Sequence, residues 1–358
     1  MRPVRREGGF VLVLVLAMLV VLSLLAGSIA ATTSRLLEQA TQRERGMQDQ
    51  LDMASTRATV LYLIGTQRLT VGGLTVDNLV SFGEDGVRPS QSPADIEGNG
   101  LLLPVGTEIA MDGRAYRGIG NARFAIQDEN GLFAVNWNSP ARLERLLAQG
   151  GQQRPVAAPA LFNRIMDYQD RDNLYRLDSL EADGYRSAGM LPPTNLPLAT
   201  PMELFRVAGW EQALSFLTPV DVSDTLTVES VSVLNVNTAP ARVLGTLPGV
   251  DQEMAERAIA YRKLQPFMTD TAFFRFLGLQ PTLDAPVAVY PARSGTLKLW
   301  PSQGGQVRLL HWRSTPSEDR GRPWREDYEL IQSRASSRND AAYPVRSRLF
   351  REPVAARK

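Results

Sequence analysis

Phe10 to Ala31, FVLVLVLAMLVVLSLLAGSIAA, is the segment that most limits what this chain can fold into. No charge falls between Glu7 and Arg35, and at about 1.5 Å per residue the run is long enough to cross a hydrocarbon core of about 30 Å. It predicts one membrane-spanning helix over residues 10–34. Arg2, Arg5 and Arg6 precede it. Basic flanks stay cytoplasmic, so everything past residue 35 is expected on the far side. Removal of a secretory signal at the small residues of Ala26 to Ala31 is the competing reading, although such signals have a shorter apolar stretch.

The pattern does not stop at the membrane. Leu36/Leu37, Ala40, Met47, Leu51, Ala54, Ala58 and Leu61/Tyr62 recur at steps of mostly three or four, and no proline interrupts residues 10 to 65. A single helix of about 80 Å is predicted, half in lipid and half packed on a globular domain through that stripe.

Composition removes many chemistries. The chain has no cysteine, which excludes disulfides, thiolate nucleophiles and cysteine-ligated metals. One histidine, His311, cannot supply a two-histidine metal site. On a strand it reads as a surface or packing residue, and no pair of carboxylates can be matched to an acid and a base from spacing. The expectation is a protein that is not an enzyme. A net charge of +1 argues against a chain built mainly to neutralise phosphates.

The leader carries a first resemblance. MRPVRREGG followed by Phe10 resembles the leader of type IV prepilins and type II secretion pseudopilins, which implies cleavage by a prepilin peptidase between Gly9 and Phe10 and methylation of the new terminus. Removal of the leader takes away a net +2 and leaves a balance near −1. Such chains carry a glutamate five residues after the cut, where this one has Leu14. In pilins the glutamate of an incoming subunit pairs with the amino terminus of the subunit already in place. Leu14 therefore implies a subunit that starts a fibre and joins one poorly from below.

Beyond Gly65 the text is turn-rich, and 83–100 reads as a mobile loop. Leu101 to Val105 and Ala115 to Ile126 read as strands, with Glu129-Asn130-Gly131 as a hairpin signal after them. From residue 139 short helices are predicted, beginning at Pro140 and over Ala160 to Tyr168. Asp167, Asp170, Asp172, Asp178, Glu181 and Asp183 then fall within seventeen residues. This is a solvated loop or, since hard cations want six to eight oxygens, a calcium site. In 234–263, LNVNTAPARVLGTLPGVDQEMAERAIAYRK, Thr238 is expected to cap a helix from Pro240. A tight turn leads into a second helix with Met254, Ala258, Ile259 and Tyr261 on its apolar face. This resembles a helix-hairpin-helix, the basis for an alternative reading as a membrane-anchored DNA-binding protein. Asp251, Glu253 and Glu256 would repel phosphate, so no nucleic acid is expected.

Five features occur in order: the leader lacking the glutamate, DENG-x-F-x-x-N-x-N (Asp128 to Asn138), the acidic segment (Asp167, Asp170, Asp172, Glu181, Tyr185), the TPMEL helix, and L-N-V-N-T-A-P (Leu234 to Pro240). Together they resemble the minor pseudopilin K family of type II secretion over essentially the whole chain. The resemblance implies an α+β, pilin-like fold, in which a long N-terminal transmembrane helix packs on an antiparallel sheet, with a large inserted all-α domain. The expected organisation is leader 1–9, transmembrane helix 10–34, first pilin-like part 35–127, mainly helical insertion 128–285, closing strands 286–336 and flexible tail 337–358. The implied place is the tip of the pseudopilus, anchored by one pass in a bacterial inner membrane with its head in the periplasm. There it would start and cap a fibre for export of folded proteins. The implied partners are minor pseudopilins I and J, with H, the major pseudopilin G, the prepilin peptidase and membrane lipid. No cofactor is required. Calcium on Asp170, Asp172 and Glu181 is implied, although Ser179-Leu180 stand where the family has Gly-Ala before the glutamate.

Overall fold

A computed structural model describes residues 8–76, 103–136, 138–151, 156–282, 285–315, 321–333 and 341–350. Leader residues 1–7 and the loop read at 83–100 lie outside the described residues. The chain divides into two units, Met1–Asp52 and Met53–Lys358.

Helix α1 (Gly8–Thr66) contributes to both. In the first unit it stands alone, and every side chain from Leu12 to Gln48 is exposed. Its backbone groups bond within the helix, the condition for a segment that lies in lipid. In the second unit the helix buries Met53, Thr56, Val60, Leu63 and Ile64. That is not the stripe read from the sequence: Ala54, Ala58 and Tyr62 face outward, and of that stretch only Leu61 is buried. Apolar residues here occupy most of the helix circumference, so periodicity alone does not choose a face. The partner sheet does.

Within the second unit β1 (Leu69–Thr70) and β2 (Gly73–Leu74) pair with each other, and a separate five-stranded sheet has the order β11-β10-β9-β4-β3. Its strands are β3 (Tyr116–Arg117), β4 (Ala122–Asp128), β9 (Ser294–Pro301), β10 (Gln306–Ser314) and β11 (Trp324–Ser333), each antiparallel to its neighbour. The period of two directs Phe124, Ile126, Leu297, Leu299, Leu310 and Trp312 into one core with Met53, Val60 and Leu63 of α1. Thr56 Oγ1 accepts the Ile119 N–H at 2.9 Å, and Arg57 pairs with Glu326 and Glu329 of β11. At Gly65 a Cβ would come within 2.8 Å of the Trp324 ring and 2.6 Å of Pro323. Only glycine lets α1 lie that close. The long helix is thus packed on an antiparallel sheet whose strands β9, β10 and β11 come from the C-terminal part of the chain.

β4 and β9 are neighbours in the sheet although residues 129–293 separate them in sequence. That excursion holds nearly all the remaining structure: β5 (Phe133–Ala134), α2 (Pro140–Ala148), α3 (Ala158–Gln169), α4 (Ala182–Ser187), α5 (Trp210–Ala213), α6 (Pro219–Thr225), β6 (Leu226–Thr227), β7 (Leu234–Asn235), α7 (Ala241–Leu244), α8 (Gln252–Leu264), α9 (Asp270–Leu277) and β8 (Val287–Ala288). Side-chain caps fix where several of these helices begin. Ser139 caps α2 with Pro140 at its first position, Thr218 and Asp221 form a capping box on α6, and Thr269 caps α9. The excursion has its own core, with Tyr168, Tyr185, Trp210 and Phe273 fully buried. Trp210 Nε1–H donates to the Leu161 carbonyl at 3.0 Å, so its burial strands no polar group.

Several expectations are corrected here. Glu129-Asn130-Gly131 forms a 3₁₀ turn and not a hairpin, because Asp128 accepts from the Asn130 N–H and the following strand β5 pairs in parallel with β6. Residues 103–105 carry no strand, and TPMEL lies in a 3₁₀ turn, Pro201–Arg206. Of the tail read as flexible over 337–358, Tyr343 and Phe350 touch the sheet, while most of residues 341–350 is exposed. Tyr343 bridges to Tyr116, and Phe350 stacks on Phe124 with ring centroids 5.5 Å apart, because the edge strand β3 leaves both groups to be covered.

Candidate functional site

The DENG and L-N-V-N-T-A-P motifs converge on one carboxylate. Asp128, at the end of β4, is fully buried and accepts four hydrogen bonds: Thr238 Oγ1 at 2.7 Å, Asn235 Nδ2 at 2.8 Å, Ala292 N at 2.6 Å and Asn130 N at 3.1 Å. Burial pushes its pKa up to about 6 against these donors. The knot ties the point where the chain leaves the sheet to the point where it returns. Thr238 therefore serves Asp128 and does not cap a helix; Pro240 holds the N-cap of α7. Two of the five motifs are architectural.

Beside this knot lies a second buried cluster, which sequence reasoning missed. His311 is fully buried, with Nε2 2.8 Å from Glu129 and Nδ1 2.9 Å from Asp327. Asp327 reaches it because the β10–β11 register slips at that point, which leaves Asp327 as the extra residue of a bulge that re-aims its side chain. Arg313 and Arg325 also bind Asp327, Arg313 binds Glu229, Thr227 bonds Glu129, and Tyr328 stacks on the imidazole at 5.0 Å. Burial opposes charge on His311, but the bond to Glu129 and the charges of Glu129, Glu229 and Asp327 outweigh it and raise its pKa. The available signal was the row Val307, Leu309, His311, which places a histidine in line with buried apolar neighbours. The bulge left no mark in the sequence.

The acidic segment folds as a cradle. Asp167 sits fully buried in the last turn of α3, accepting from the Arg176 N–H at 2.9 Å and from its guanidinium, which reaches Asp170 Oδ2 at 2.6 Å. Asp172 turns back to accept the Leu174 N–H at 2.8 Å. Glu181 arrives from the start of α4, 2% exposed. Asp170, Asp172 and Glu181 each bring an oxygen within 4.8 Å of the other two. Thus the structure does bring the three predicted residues together. Neither Glu181 oxygen has a properly formed hydrogen bond, its relief being only its neighbour's amide at Ala182, and Asp170 Oδ1 is likewise buried without a partner. Burial first, then the charges of Asp167, Asp170 and Asp172, push the Glu181 pKa up to about 6. Orphaned, mutually repelling buried oxygens of this kind fit a hard divalent cation. Asp178 and Asp183 are exposed and stand apart from the set.

The 234–263 segment is built as core. Gly249, at φ +77°, turns the chain into α8. Asp251 Oδ1 accepts the Met254 N–H at 2.8 Å, so a carboxylate already occupies the helix start where a phosphate would sit. Arg262, 6% exposed, donates to the carbonyls of Val236 and Ala239 at 2.8 and 2.7 Å. The inward face is Ala255, Ala258 and Arg262; of the expected set Ala258 is buried, Met254 and Ile259 are half-buried and Tyr261 is exposed. Gly9 and Phe10 lie in the first turns of α1, and Leu14 is exposed on that helix.

Residues 234–289 match the family model described as Type II secretion system (T2SS), protein K. No curated protein matches the chain. Among solved structures, the GspK-GspI-GspJ complex of the type 2 secretion system from enterotoxigenic Escherichia coli contains a similar chain, 13% identical, with a TM-score of 0.46, covering 83% of this chain and 100% of that one. That likeness is too distant to carry weight. The family match falls on the segment that closes the Asp128 knot and forms α7, α8 and α9.

Proposed function

We propose that this chain is a minor pseudopilin at the tip of the type II secretion pseudopilus. The match of 234–289 to protein K carries the reading. The N-terminal helix fits a single-pass anchor, and on the basic leader the anchor lies in the inner membrane with residues past 35 in the periplasm. The prepilin peptidase cuts between Gly9 and Phe10, and the new terminus is methylated. Minor pseudopilins I and J, which the resemblance of the ordered motifs implies, are the partners proposed here, with minor pseudopilin H and the major pseudopilin of the shaft beyond them.

The work of such a protein is association. Leu51, Ala54, Ala58 and Tyr62 form an outward stripe of α1 that remains exposed while the opposite face is seated on the sheet. Leu14 gives the helix no carboxylate with which to dock beneath another amino terminus. No reaction is assigned, and the carboxylates that cluster serve cation binding, with calcium held by Asp170, Asp172 and Glu181. Mass spectrometry of the mature protein tests the reading: a chain beginning at methylated Phe10 is expected, and cleavage near Ala31, or none, overturns it.

A further inference from the structure

Arg176 is a basic side chain inside the acidic cradle, and its position is not that of a ligand. It closes the loop 167–176 twice onto the same buried carboxylate, through its backbone N–H and through its guanidinium on Asp167. The same Nη1 holds Asp170 by Oδ2 at 2.6 Å and leaves Oδ1 buried and unpartnered, on the residue whose other neighbours are Asp172 and Glu181. One oxygen of Asp170 is thus anchored outward and the other is free for an ion.

We propose that Arg176 is the positioning residue of a divalent-cation site formed by Asp170, Asp172 and Glu181, the guanidinium fixing Asp167 and Asp170 so that Asp170 Oδ1 is presented to the ion. The inference rests on the cation reading of that cluster. Outer partners that orient ligating carboxylates govern metal affinity about 10- to 100-fold in other sites. Electrostatics alone works the other way: a positive charge next to a cation weakens its binding, so removing Arg176 would tighten the site if the guanidinium were only a competitor. The two roles therefore predict opposite signs.

The experiment is calcium titration of the full-length protein in detergent by calorimetry, with chelator-reversible thermal stabilisation as a second readout. Wild type is expected to bind calcium and Arg176→Gln to bind it at least about ten-fold more weakly, with Arg176→Lys between them, since lysine keeps the positive charge but places a rotatable ammonium where the planar guanidinium held its nitrogen between the two carboxylates. Unchanged or tighter binding by Arg176→Gln overturns the positioning role. If Arg176→Gln fails to fold because Asp167 is left as an unpaired buried charge, Asp167→Asn/Arg176→Gln decides by the same criterion. Failure of wild type to bind calcium at all sinks the underlying cation reading instead, and so is distinguishable.

Discussion

At the scale of single residues, the informative groups are buried carboxylates, and they differ in what surrounds them. Asp128 is met by four donors and Glu181 by almost none. Replacing Asp128 with Ala strands the Thr238 hydroxyl, the Asn235 amide and two backbone N–H groups. A loss of at least about 3 kcal/mol is expected, since each stranded buried group costs about 1–3 kcal/mol; chemical denaturation would measure it. Glu181→Gln should act in the opposite direction. The folded pKa lies above the unfolded value, so ionisation works against the fold: in the metal-free wild type, stability falls as pH rises from about 4.5 toward about 6. The variant should lack that fall and be more stable at pH 7 by about 2 kcal/mol in chelator, while losing any stabilisation by calcium. A Glu181→Gln protein that still gains from calcium would remove Glu181 from the ligand set. The acidic cluster was legible in the sequence because its six carboxylates are close in the chain, and the resemblance singled out three of them; the place of Arg176 beside them was not, since only the folded loop brings its backbone N–H and its guanidinium onto Asp167.

At the scale of elements, α1 shows how far pattern carries. Its length and unbroken course follow from an uninterrupted run of helix-compatible residues. Which face it buries does not, because apolar side chains surround it, and the choice falls to a sheet that offers Phe124, Leu297 and Trp312 on one side and to Gly65, the point of closest approach to Trp324. The short strands and turns erred for a related reason. Glu129-Asn130-Gly131 has hairpin chemistry locally, but Asp128 is held by groups more than a hundred residues away, and the chain leaves the sheet there. For the first turns of α1 the expectation concerns assembly. Leu14→Glu should let the protein enter the fibre shaft, read by its distribution along overproduced pseudopili, and an unchanged distribution would show that the missing carboxylate is not what restricts it.

On the scale of the whole molecule, the sheet and the long excursion between β4 and β9 are joined by the Asp128 knot and by the His311 cluster, which links β10 and β11 to the 3₁₀ turn after β4. The raised His311 pKa means that its contribution is complete below the ordinary imidazole range and is lost as pH rises through the folded value. Asp327, whose pKa is held down by Arg325, His311 and Arg313 against burial, loses its contribution as pH falls through its folded value. His311→Gln should therefore melt lower than wild type near pH 6, with the gap narrowing toward pH 9; a gap independent of pH would show that packing, and not the imidazolium, is what matters.

The sequence by itself determined the long apolar helix, the basic stretch before it and the order of the motifs, because each is written in contiguous residues whose chemistry acts locally: a helix reads its own run of residues, and a cap reads its own first turn. Only the tertiary structure decided which face of α1 is buried, that Tyr343 and Phe350 come back onto the sheet, that two motifs serve one carboxylate, and that the lone histidine is an ionic tie. These depend on register, bulges and contacts between distant segments, in which the energy of burying a polar group is settled by partners that no local window contains.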